Sequence, residues 1–172
     1  VLIVVDGVRM NNAIYRSGHL QNSITIDPSN IERAEVIFGS SSVGYGSDAM
    51  GGVIHYYTKN PILKNSKKIS SSFTSNFNSA NNSVTNNFKT NYSSDNWGSI
   101  TSISISKYGD IKMGKKRNHG YSDWGLTSIF SQNSRYKFYA EPSINLDKNI
   151  QKNTGYSQVD LFQKFLFRIG DN

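Results

Sequence analysis

The stretch IERAEVIFGSSSVGYGSDAMGGVIHYYTK, residues 31–59, decides how this chain folds. Val36–Phe38 reads as a short strand closed by Gly39, and Val53–Thr58, β-branched and aromatic, as a second strand. Between them, residues 39–52 are too rich in Gly and Ser to form a regular element. Upstream, Asp27-Pro28-Ser29 precedes Ile31–Glu35. Ser29 or Asn30 is placed to cap a single helical turn there, with acids near its positive end. Further out, Val1–Val5 is an apolar run closed by the turn signal Asp6-Gly7, the pattern of a strand buried on both faces. Together these pieces make a small mixed α/β unit with a core too small to stand alone.

Gly44-Tyr45-Gly46-Ser47-Asp48-Ala49 formally fits the dinucleotide fingerprint G-x-G-x-x-A. That motif must follow a strand, open a helix and carry an acid about 20 residues on. Here Gly51-Gly52 and a strand follow, and Ser66 stands near the acid's place. A structural turn cluster is the better reading, and no Gly-Lys-Ser/Thr follows to make a phosphate loop.

Beyond Pro61 the texture changes. Residues 1–61 hold four basic and five acidic side chains, whereas residues 62–172 hold fifteen and seven. Residues 62–68, with the basic stretch Lys64–Lys68, read as a linker. In residues 69–79, Ile69, Phe73 and Phe77 share one face while Ser70, Ser72, Thr74, Asn76 and Asn78 share the other. Ala80–Asn82 is a turn, and Val84, Phe88 and Tyr92 carry the pattern along a second strand. Ser93–Asn96 turns again into Trp97–Tyr108, with Thr101, Ile103 and Ile105 on one face. An irregular segment of about 109–157 precedes a fourth strand, where Val159, Leu161, Phe165, Phe167 and Ile169 alternate with Asp160, Lys164 and Arg168. The strands are about as long as those that cross a membrane in a barrel, and the loops run short, short, long. Their polar faces are mostly Ser, Thr and Asn, which suits a wet lumen as well as bulk water.

Composition narrows the classes. Of 172 residues 36% are hydrophobic, 12% aromatic and only 18% charged, against about 25% charged in ordinary globular proteins. So many aromatics argue against disorder. No apolar run of about 18 residues exists, which excludes a transmembrane helix but not a transmembrane barrel. With no cysteine there is no disulfide scaffold, Cys-ligated zinc or thiol nucleophile. The net charge of +7 is spread through loops and linker without a nucleic-acid-binding motif, so that partner is rejected. The chain opens without Met inside an apolar run and reads as an internal fragment.

VLIVVDGVRMNN followed by IERAEVIFGSSSVGYGSDAMGGVIHYYTK resembles the C-terminal half of the plug domain of TonB-dependent outer-membrane receptors. The V-D-G-V-R, I-E-R-x-E-V, Y-G-S-D-A-x-G-G-V-I and T-K elements stand in the family's order and spacing. Phe38-Gly39-Ser40 stands where Arg-Gly-Pro is usual, and His55 where Asn is common. The plug motif residues are Asp6, Gly7, Arg9, Glu32, Arg33, Glu35, Gly39, Tyr45, Gly46, Asp48, Gly51 and Gly52. Their expected role is structural, with Asp6 and Glu32 or Glu35 placed to pair with Arg9 and Arg33. The resemblance implies a fold of a small mixed α/β plug (residues 1–61) followed by antiparallel transmembrane β-barrel strands (residues 69–172, the first four). It also implies a Gram-negative outer membrane, TonB and its energising complex as partners, outer-membrane lipid as surroundings, and transport without covalent chemistry. No prosthetic cofactor is expected and the protein is read as a non-enzyme.

Cargo rests on fewer residues. His19, in YRSGHLQNSITIDPSN, stands where heme-uptake members show a similar Gly-His-Leu ahead of Asp-Pro, and there the imidazole serves as an axial heme ligand. A loop histidine bonded to a neighbouring carbonyl is the plain alternative. Lys115, Lys116, Arg117 and His119 form a basic, aromatic loop able to attract an anionic ligand or an extracellular heme protein, or simply to be solvated. His55, inside a strand, reads as packed or hydrogen-bonded. Heme leads as transported ligand, with ferric siderophores and cobalamin as alternatives. A soluble β-rich binding or adhesion module and a nucleotide-dependent enzyme are the competing classes.

Overall fold

The computed structural model describes residues 1–10, 25–39, 42–46, 49, 51–116, 122–132, 134 and 136–170. The chain forms two compact units: Val1–Ser72 with Lys89–Ser102 and Asp160–Asn172, and Phe73–Phe88 with Ile103–Val159.

In the first unit, Leu2–Val5 (β1) and Val8–Arg9 (β2) make a hairpin turned by Asp6-Gly7. Both turn residues have positive φ, 47° and 85°. This is the two-residue turn whose twist matches antiparallel strands, and Gly accepts it without a Cβ clash. Ile31–Ile37 (β3) and Val53–Thr58 (β4) complete a sheet of order β2-β1-β4-β3, with β1 parallel and β3 antiparallel to β4. Leu2, Val4, Ala49 and Val53 form its core, against which Ile37 and Tyr45 pack. Tyr45 closes a one-turn helix, Ser42–Tyr45 (α1), inside the Gly-rich segment expected to lack regular structure.

The helical turn expected at Ile31–Glu35 is not there. Those residues are strand, and the helical turn is 3-10 at Pro28–Asn30, one step earlier. Asp27, rather than Ser29 or Asn30, is the cap, because its carboxylate accepts the Ser29 N–H at 2.9 Å and Pro28 presets the backbone angle. Ile31 onward then finds a better partner in β4, with a bulge between Ile31 and Arg33.

The long strands are Lys68–Asn78 (β5), Ser83–Ser93 (β6), Trp97–Tyr108 (β7) and Tyr156–Phe167 (β12), in sheet order β12-β7-β6-β5. They contribute residues to both units. Stacking of Tyr108 on Tyr156, the Thr101–Gln163 bond and the Arg168 N–H to Asn96 carbonyl bond fix β7 and β12 as antiparallel. On β6 and β7 the two faces are inverted relative to a water-soluble sheet. On β7, Ser102, Ser104 and Ser106 are buried (0%, 1% and 5% exposed) while Ile103 and Ile105 are 42% and 57% exposed. On β6, Ser83, Asn87, Lys89 and Ser93 are buried and Val84 and Phe88 exposed. Asn87 Nδ2 donates to Ser104 Oγ at 2.7 Å, so the buried row is hydrogen-bonded within itself.

In the second unit, the segment expected to be irregular carries two small ladders. Ile111–Lys112 (β8) pairs with Ile150–Gln151 (β11), and Ile129–Phe130 (β9) with Ser143–Ile144 (β10). Asn145, 1% exposed, ties them: its Nδ2 donates to Thr127 O at 2.9 Å and Ile150 O at 2.8 Å. The fourth long strand begins at Tyr156, because Asp110 accepts the Thr154 and Gly155 N–H groups and closes the loop there. Ile169, expected to continue that strand's pattern, lies past its end and is exposed.

Gly52 tests this account of the first sheet. Its φ is 110°, and a Cβ there would lie 2.7 Å from Ile37 O on the neighbouring strand. Gly52→Ala is expected to lower stability to urea by about 1–3 kcal/mol or more. Gly44→Ala, with nothing within 4 Å of the added atom, is expected to be neutral or slightly stabilising.

Candidate functional site

Charge inside the first unit converges on the edges of the plug-like sheet. Asp6 Oδ1 accepts the Thr58 N–H at 2.9 Å, and Oδ2 accepts the Thr58 hydroxyl and Lys164 Nζ, the latter at 3.0 Å. Lys164 also donates to Thr58 Oγ1 at 2.9 Å. One lysine of β12 therefore meets both the β1–β2 turn and the end of β4. Burial pushes the Asp6 carboxyl up, but the Thr58 bonds and the Lys164 ammonium outweigh it and hold it below its usual 3.8. A second lysine, Lys89 of β6, donates to Ser29 O at 2.6 Å, and Lys59 donates to the same oxygen at 2.9 Å. At the turn between β6 and β7, Arg168 pairs with Asp95 at 2.7 Å in the open.

The described motif residues make the following contacts. Arg9 does not pair with Asp6, whose acid is taken by Thr58 and Lys164; it donates instead to the Tyr45 carbonyl. The expected pairing of Arg33 is met by Glu35 at 3.0 Å, with Arg33 over the Tyr57 ring at 3.8 Å and Tyr57 donating to Glu35. Glu32 is exposed on β3. Gly39 and Gly46 have positive φ, and Gly51 lies beside the chain start. His55 is packed as its strand position implied: buried, stacked on Tyr57 at 4.0 Å, with Nε2 accepting the Gly7 N–H at 3.1 Å. Among the described residues its Nδ1 has no partner.

His19, Asp48, Arg117 and His119 lie outside the described residues. Lys115 and Lys116 are exposed. Hydrogen bonds from the Asn149 N–H and side chain hold Asp147 below the usual carboxylate range, and the charges of Lys112 and Lys115 add to this. Part of the basic loop's field is thus answered within the loop. The glycine fingerprint fails on geometry, since Gly44 and Tyr45 end a helical turn instead of opening a helix and β4 follows. Among the described residues no group of three His, Cys, Asp or Glu side chains is arranged for a metal ion, and no helix is long and apolar enough to cross a membrane. Sequence reasoning missed Lys164, Thr58 and Lys89. The signal for Lys89 was a lone cation on a strand face otherwise made of Ser, Thr and Asn.

The Asp6–Lys164 pair carries a pH signature. A carboxylate with lowered pKa contributes stability above its unfolded value and loses it as pH falls through the folded value, hence below about pH 4. Lys164→Met is expected to cost about 0.5–1.5 kcal/mol at pH 7, discounted for partial exposure. The difference from wild type should shrink as pH falls below about 4, as read from urea midpoints.

Residues 1–53 match the family described as TonB-dependent Receptor Plug Domain. Over 58 residues, 34% of this chain, the sequence is 47% identical to a hemin receptor of Yersinia enterocolitica and 48% identical to a rhizobactin receptor of Rhizobium meliloti. It is 44% identical over 59 residues to a ferric aerobactin receptor of Klebsiella pneumoniae. These matches cover 8%, 7% and 8% of the relatives' own lengths. Among solved structures, a ferric enterobactin receptor of Pseudomonas aeruginosa superposes with a TM-score of 0.46 and 21% identity over 75% of this chain and 20% of that one. The N-terminal segment of this chain, residues 1–53, is thus similar to the plug domain of TonB-dependent receptors, and the chain spans less than a tenth of the length of the curated relatives it matches.

Proposed function

We propose that this chain is part of a Gram-negative outer-membrane receptor that takes up an iron-containing cargo, with heme as that cargo. The observation that carries the membrane reading is the inverted pair of faces on β6 and β7. Leaving Ile, Val and Phe side chains in water forfeits roughly 1.5–3 kcal/mol each, a cost that a lipid environment removes. Tyr92, Trp97, Phe165 and Phe167 gather near the β6–β7 turn, with Trp97 4.4 Å from Tyr92 and 6.4 Å from Phe167. Such a cluster suits the aromatic girdle of a barrel wall.

In this reading the small sheet is the plug and the long strands are the first part of the wall. Lys164 and Lys89 reach from wall strands to plug residues, so they position the plug at rest. Energised TonB supplies the pull that separates plug from wall, and no bond of the cargo is broken. Outer-membrane lipid surrounds the strands, and the basic loop with Lys115, Lys116, Arg117 and His119 faces an extracellular heme protein or the anionic cargo itself.

Heme is preferred because His19 supplies an imidazole of the kind that ligates heme iron, and because a hemin receptor is among the relatives. A ferric siderophore is the second reading, favoured by nearly equal identity to the rhizobactin and aerobactin receptors.

His19→Ala in the full-length receptor separates them. Under the heme reading, heme binding weakens, the Soret band shifts and heme-dependent growth slows while the receptor still assembles. His55→Ala is the control: loss of the Gly7 bond and the Tyr57 stack should lower stability by about 1–3 kcal/mol and leave the heme spectrum alone. Spectra and growth unchanged in His19→Ala overturn the ligand assignment and favour the siderophore reading.

A further inference from the structure

Three lysines reach the small sheet and its adjoining turn, and they are not equivalent. Lys164 is neutralised by Asp6. Lys59 and Lys89 share one neutral acceptor, the Ser29 carbonyl, at 2.9 Å and 2.6 Å. Among the described residues neither has a carboxylate within ion-pair distance. Lys89 is 9% exposed, so water does little to screen it. The acid of the same turn, Asp27, directs its oxygens to the Ser29 N–H (2.9 Å), Ser29 Oγ (2.6 Å) and Asn30 Nδ2 (2.9 Å). Asn30, 4% exposed, keeps an Oδ1 with no partner among the described residues.

Two ammonium groups on one carbonyl must lie close together, where like charges repel; the nearby Asp27 carboxylate favours the charged Lys89, but its oxygens are engaged by Ser29 and Asn30. An oxyanion between them would answer both charges through short, charge-assisted bonds. The unpaired Asn30 Oδ1 would accept from a water or a protonated oxygen that accompanies it. We propose that Lys59 and Lys89 form a receiving site for an oxyanion, either a free ion of the phosphate class or a carboxylate of the cargo. The carboxylate arm rests on the heme reading; the free-ion arm does not.

The test uses the purified full-length receptor in detergent, titrated calorimetrically with inorganic phosphate at ionic strength held constant with chloride. One saturable site per receptor is expected. Lys59→Gln and Lys89→Gln each keep a donor for Ser29 O but remove a charge, and each should weaken phosphate binding about ten- to a hundredfold. Absence of saturable binding in the wild type, or variants that bind phosphate as the wild type does, overturns the proposal. Should Lys89→Gln fail to assemble, Lys59→Gln, on the less buried residue, decides alone. The second arm measures uptake of heme and of heme dimethyl ester in cells, normalised to the amount bound at the surface. Slower uptake of heme but not of the ester in both variants assigns the site to a cargo carboxylate, and equal uptake assigns it to the free ion. A wild type that binds no heme removes the heme reading while the phosphate titration still judges the site.

Discussion

Ser102 is fully buried and its neighbour Ile103 is 42% exposed, and that reversal along β7 constrains everything around it. A strand alternates its side chains between two environments, so a row of buried serines commits the opposite row to the outside. In water that choice is unfavourable, because hydroxyls gain little from burial while apolar groups lose a great deal by exposure. It becomes favourable when the outer surroundings are apolar and the inner side offers hydrogen-bond partners. Asn87 supplies one such partner to Ser104. In the first unit, Ser29 O, Asp6 and Thr58 supply others to the cations of β6 and β12.

The small sheet depends on the long strands in turn. Among the described residues its packed cluster is Leu2, Val4, Ala49 and Val53, with Ile37 and Tyr45 partly buried against it, a small apolar area. What it lacks in burial it gains in polar attachment. Asp6 sits in a left-handed turn, accepts from Thr58 at the adjoining end of β4 and accepts from Lys164. Attachment through a few hydrogen bonds and one ion pair is specific in geometry yet modest in energy.

The sequence told more about elements than about contacts. Strand positions followed from alternation: Trp97–Tyr108 and Val53–Thr58 stand where the pattern put them. The turn at Asp6-Gly7 was legible because few residues tolerate its backbone angles. The segment at Ile31–Glu35 misled because its acids suit a helix start, whereas pairing with β4 decided the matter over local preference. The two short ladders of the long loop were invisible, since two-residue strands carry no period and Asn145 looks like any loop amide. Lys164 and Lys89 stood in view on their strand faces. Their partners lie 158 and 60 residues away in the chain, and no local pattern encodes such a distance.

These 172 residues contain no cysteine, so once any cysteine elsewhere in the receptor is replaced, single cysteines placed along β7 report each position cleanly. In the full-length receptor reconstituted in lipid, spin labels at positions 102, 103, 104 and 105 can be read for collision with oxygen, which partitions into lipid, and with a water-soluble nickel complex. The account predicts an alternation of period two, with oxygen dominating at 103 and 105 and diminished at 102 and 104. Dominance of the nickel complex at 103 and 105, as on the wet face of a soluble sheet, would contradict it.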